Sequence, residues 1–171
     1  MSQEISREQF AKVLSSVIEE AFSTGDAVFL DPGTSLFETV DKLSADEASR
    51  MVPGGKTTIA GHVEHVRFYL WAIENFMIGN QPGKVDWGES WKVKTVNEEE
   101  WASVRKRCRE AKESALAAIK GFDDWNDEKK LGGAMGIVAH TAFHLGAIRQ
   151  MIIATKQSRG GRANLGEFET M

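Results

Sequence analysis

The sequence predicts an all-α protein, a four-helix bundle. Three observations carry this. Four runs of about 17 to 25 residues repeat their apolar positions at helical spacing. Cap residues and Gly or Pro breakers bracket those runs. Strand-like alternation is confined to one short stretch between the second and third runs.

The first helix is read from Ser6 to Phe22. Ser6 is its cap, with Gln9 three residues on. Phe10, Val13, Leu14, Val17, Ile18 and Ala21 fall on one apolar face, and Gly25 ends the run. Residues 28–55 are mixed. Ser35-Leu36-Phe37-Glu38 starts a short helical piece. Leu43-Ser44-Ala45-Asp46-Glu47 reads as a turn whose cap opens another. Pro53-Gly54-Gly55 is a firm stop.

The second long helix runs from Thr57 or Thr58 to Ile78, with Ile59, Val63, Val66, Leu70, Ile73 and Met77 on its buried side. Gly79-Asn80-Gln81-Pro82-Gly83 terminates it. Residues 84–96, with Trp87, Trp91 and the alternating Val93 and Thr95, form a loop with a brief extended piece, long enough to cover a site. Asn97 caps the third helix, and three glutamates occupy its first turn, where the helix dipole favours acids. Trp101, Val104, Cys108, Ala111, Ala115 and Ile119 are its core positions, and Gly121 ends it. After a second loop, the fourth helix extends from about Gly132 to Lys156. The domain reading is therefore a bundle over residues 1–156 and a Gly- and Arg-containing tail over 157–171.

Composition narrows the function. The 25 acids against 21 bases give a net charge of −4. Such a chain has no positive field to draw a phosphate backbone, so nucleic acid is not an expected partner. A single cysteine excludes an intrachain disulfide and cysteine-rich zinc sites. Cys108 falls on an apolar stripe and reads as an inert core thiol. No run of roughly 18 uncharged apolar residues is read as a bilayer span. The start of the chain shows no signal core. The expectation is a soluble cytoplasmic protein with no membrane partner.

The four histidines are paired. His62 and His65 lie on the second long helix, and His140 and His144 lie on the fourth. Residues at i and i+4 share a helix face, so His140 and His144 can reach one divalent cation. A third imidazole from a facing helix would complete a three-histidine site with open positions. The wheel places His144 within about 40° of Ile137 and Ile148, with His140 on the flank. On the second helix it favours His62 over His65. Sharper motifs fail. His140-Thr141-Ala142-Phe143-His144 lacks the glutamate of a zincin. No Glu-x-x-His pair recurs on two helices, as a di-iron bundle needs. Gly55-Lys56-Thr57 has no strand before it and no glycine at position 50, so it is not a P-loop.

Two motifs resemble the DinB-like superfamily. Pro53-Gly54-Gly55-Lys56-Thr57-Thr58-Ile59-Ala60-Gly61-His62-Val63-Glu64-His65-Val66 is similar to its second-helix motif, with Thr58-Ile59 seven residues before a ligand histidine at His65. His140-Thr141-Ala142-Phe143-His144-Leu145-Gly146-Ala147-Ile148 is similar to its fourth-helix signature. The resemblance implies a DinB-like four-helix bundle whose metal ligands are His65, His140 and His144. His62 then becomes a wall residue or a support behind the ligands. It further implies a metal-dependent hydrolase or thiol S-transferase and a homodimer; the rival reading is a non-catalytic metal-binding or stress-response binding module. Zinc or nickel is the expected ion, and a small molecule, such as a low-molecular-weight thiol, is the expected partner. Trp87, Trp91 and Phe143 are expected at the substrate entrance, Trp71 and Phe68 at a dimer seam. Glu64 points away from the stripe, and Glu74 is a marginal candidate base.

Overall fold

The computed structural model describes residues 5–165 apart from 24, 26 and 81, with 158–165 described by their helical backbone alone. Among the described residues six α-helices occur in chain order. They are α1 (Arg7–Phe22), α2 (Leu36–Val40), α3 (Ala45–Ala48), α4 (Ile59–Met77), α5 (Glu98–Lys120) and α6 (Glu128–Leu165). Among the described residues there is no strand. The long helices α1, α4, α5 and α6 close a ring: α4 packs on α5 and α6, and α1 packs on the same two.

Local chemistry sets the helix starts. The Ser6 hydroxyl accepts the Gln9 N–H, the Thr58 hydroxyl accepts from Gly61, and the Asn97 side chain accepts from Glu100. Ser35, Ser44 and Asn97 each form a reciprocal capping box with a glutamate three residues on. Each cap satisfies donors that a helix start otherwise leaves unpaired. Ile18 and Phe22 of α1, Val63, Val66 and Leu70 of α4, Trp101, Cys108 and Ile119 of α5, and Ile137 and Ile148 of α6 meet in one core. The Glu20 carboxylate, itself buried, accepts the backbone N–H groups of Val28, Phe29 and Leu30, pinning the segment after α1.

Residues 84–96 differ from the expected loop with an extended piece: they hold a single 3-10 turn, Glu89–Trp91. The stretch straps down the first turns of α4. The Thr58 hydroxyl donates to the Lys94 carbonyl at 2.7 Å, and Val96 N–H donates to Ser49 Oγ at 3.0 Å. A side chain at Gly61 would place its Cβ 2.8 Å from the Val93 carbonyl oxygen, so glycine there lets the strap lie against the helix. Gly79 and Gly83, at φ of +76° and +83°, turn the chain out of α4 and into the strap.

Two expectations change in α6. The helix starts at Glu128 and continues to Leu165, so the stretch from 157 to 165 is helical backbone, and the rest of the expected tail lies outside the described residues. By length and composition, Glu128–Gln157 is also apolar enough to cross a membrane, contrary to the reading that no such run exists. Its apolarity has a local reason. Ala134, Ile137, Leu145, Ile148 and Met151 are buried in the core, and Ala139, Ala142, Gly146 and Ala147 are small residues beside and between its histidines.

Candidate metal centre

α4 and the strap on one side and α6 on the other bring three imidazoles together. One ring nitrogen each from His65, His140 and His144 lies within 4.8 Å of the others. Ring centroids are 5.0 Å apart for His65 and His140, 4.8 Å for His65 and His144, and 4.4 Å for His140 and His144. His65 and His144 are buried and His140 is half-buried. The cluster holds no carboxylate or thiolate among the described residues.

His62 is also at the site, but behind it. Its Nδ1 lies 2.9 Å from His144 Nδ1, and its Nε2 lies 3.1 Å from the Thr57 hydroxyl. Both of its nitrogens are engaged, so none remains to join the three. His62, which the wheel favours, and His65, which the motif favours, thus both lie at the cluster. His62 and His65 are both buried, since the strap roofs the flank that a helical wheel leaves to solvent.

Aromatic rings form the walls. Trp91 stacks on His65 at 4.0 Å and meets His62 edge-on at 5.3 Å. Tyr69 stacks on His140 at 3.7 Å. Trp87 and Phe143 are outermost, 44% and 71% exposed, with Phe143 edge-on to His144. Tyr69 and Ser90 are the site residues that the sequence reading missed. Tyr69 stands four residues after His65 on the same helix face, a usable signal. Ser90 carried none beyond its place between two tryptophans.

Burial keeps these rings neutral. Desolvation first, and repulsion between neighbouring rings second, lowers His62 and His140 to about 4 and His144 to about 3; desolvation lowers His65 as well. Neutral imidazole is the form that binds metal. The shift also has a sign for folding. The unfolded chain takes up these protons near pH 6.5, while the folded chain resists them until pH falls well below. Between those limits the unfolded state holds more protons, so stability is fully present above about 6.5 and declines as pH falls. We expect the urea midpoint of the metal-free protein to drop steadily from pH 6.5 to 5, before the carboxylates titrate. A flat or rising midpoint over that interval would contradict the neutral cluster.

The donor set fits a divalent cation. His140 Nε2 is buried with no hydrogen-bond partner among the described residues, and a buried orphan of this kind calls for a reason. Tetrahedral donors at about 2.0–2.1 Å from zinc stand roughly 3.4 Å apart, so the rings need to close by about an ångström.

Other residues singled out in the sequence lie elsewhere. Glu64 is buried in ion pairs with Arg67 at 2.8 Å and Arg107 at 3.1 Å. The Glu74 carboxylate accepts from the Ser114 hydroxyl, on the α5 side. Neither serves as a base for the histidines. Cys108 is fully buried, and burial pushes its thiol up to about 12, as befits a core residue. Trp71 is 38% exposed and packs at a tilt against half-buried Phe68, ring centroids 5.3 Å apart.

Fold and site together define a class: an all-helical protein with a three-histidine cluster able to hold a metal ion. No protein-family model, curated protein or solved structure matches the chain.

Proposed function

We propose that the chain is a four-helix bundle of the DinB-like type that binds zinc or nickel through His65, His140 and His144 and acts on a small molecule. The observation that carries this is the convergence of three neutral imidazoles around an orphaned His140 Nε2. With only three protein donors, positions remain for an outside ligand. A divalent ion in such a site lowers the pKa of a water or thiol that joins it, the chemistry of a hydrolase or a thiol S-transferase. The chain's own residues do the rest. Trp91 and Tyr69 hold His65 and His140 by stacking and keep water from them. Trp87 and Phe143 offer an apolar, uncharged rim, which suits a substrate with an apolar or aromatic part. The reading includes a homodimer in the cytoplasm, with Trp71 and Phe68 at its seam.

The rival is a closed binding module with His62 as fourth ligand. Both nitrogens of His62 being engaged favours the open site. Cobalt substitution separates them. Addition of a small thiol or azide to the cobalt protein is expected to change its visible and near-ultraviolet bands. A spectrum unmoved by millimolar ligand would refute the open site and leave the closed module.

A further inference from the structure

The hydrogen bonds behind the cluster fix more than its shape. Ser90 is fully buried, and its hydroxyl lies 2.7 Å from the Trp87 carbonyl and 2.7 Å from His65 Nδ1. A hydroxyl has one proton, and a carbonyl can only accept. Ser90 therefore gives its proton to Trp87 and presents a lone pair to His65. A neutral His65 must then carry its hydrogen on Nδ1, which leaves the lone pair on Nε2.

A second chain lies behind His144. With Nδ1 turned to His62, the nitrogen left for the cluster is Nε2. A lone pair there requires the hydrogen on Nδ1, donated to His62 Nδ1. His62 in turn carries its hydrogen on Nε2 and donates it to Thr57 Oγ1. The two chains come from different places, one from the strap and one from the start of α4; the first fixes the tautomer of His65, and the second accommodates the same tautomer in His144.

We propose that Ser90 and His62 are positioning residues of this site, each accepting the Nδ1–H of one ligand histidine so that the Nε2 lone pairs of His65 and His144 converge with His140. The proposal rests on the metal reading above. It explains why a serine in a loop is fully buried beside a histidine, and why two imidazoles meet nitrogen to nitrogen. Loss of such a partner behind a metal-ligating histidine typically costs about 10–100-fold in metal affinity.

The test has two parts, both on the full chain without a histidine tag. Long-range proton–nitrogen spectra of the metal-free native protein read each tautomer directly. Expected are Nδ1–H for His65 and His144 and Nε2–H for His62; Nε2–H on His65 or His144 would overturn the proposal, whatever the variants do. Zinc affinity is then compared in native, Ser90→Ala and Ser90→Thr chains. Ser90→Ala is expected to lose about 10–100-fold and to mix the His65 tautomers, and Ser90→Thr, which keeps a hydroxyl, to recover most of both. Unchanged affinity and an unchanged His65 tautomer in Ser90→Ala would overturn the positioning role and spare the metal site. A native chain that shows the expected tautomers yet takes up no zinc would overturn the metal reading and this proposal with it.

Discussion

Replacing His144 with alanine is expected to lower zinc affinity by more than about 100-fold. Removing only a partner behind a ligand costs about 10–100-fold, and removing the ligand itself must exceed that. His144 is the most consequential of the three. It is 3% exposed, its ring is nearest to His140, and it is the only one that His62 orients. The variant also leaves His62 Nδ1 without its partner, so its fold is checked by circular dichroism and thermal unfolding. His62→Phe gives the complementary arm: it keeps all three ligands and removes only the acceptor, so its loss should be smaller. Equal zinc affinity in native and His144→Ala chains, measured by competition with a chromophoric chelator, would remove His144 from the site.

Trp101→Ala is expected to be the most damaging single change to the fold. Trp101 has no exposed surface, and its indole N–H donates to the Leu43 carbonyl at 2.9 Å. It ties α5 to the turn before α3, while Arg105 lies over its ring at 5.2 Å. Truncation of a buried tryptophan costs about 3–5 kcal/mol in lost transfer energy and cavity. Leaving the Leu43 carbonyl unpaired adds about 1 kcal/mol or more. Against a total of about 5–15 kcal/mol, that removes a large share of the stability. At about 2–4 °C per kcal/mol, the melting temperature should fall by roughly 10 °C or more. Trp101→Phe keeps most of the packing and should lose well under half as much. A shift of only a degree or two in Trp101→Ala would contradict the core assignment.

The helices were legible because their signals are local. Asn97 with Glu100, Ser44 with Glu47, and Ser35 with Glu38 are capping pairs readable three residues apart, and each opens a helix where the sequence places one. The pairing of His140 with His144 was legible for the same reason. The sequence reading supplied a loop at 84–96 able to cover a site, but not where on α4 that cover is tied down. A helical wheel centres its stripe on the core, which favours His62. The site lies to one side, between α4 and α6, under a strap held by Thr58, Ser49 and the side-chain gap at Gly61. Those contacts join residues about 30 to 50 positions apart, beyond any periodicity. Ser90 was invisible on the same account. Its importance comes from Trp87 and His65 meeting it in space. The late end of α6 reflects a different limit: the sequence reading ends the helix near Lys156 and leaves a Gly- and Arg-containing tail, yet the helical backbone passes through Gly160 and Gly161 to Leu165.

The central claim is that three imidazoles from two helices meet at one ion. Zinc titration of tag-free, metal-free chain, followed by dialysis and elemental analysis, tests it most directly. The account predicts about one zinc per chain, retained at neutral pH and released as the solution is acidified. Retention below about a tenth of a zinc per chain, with nickel and cobalt no better, would contradict it.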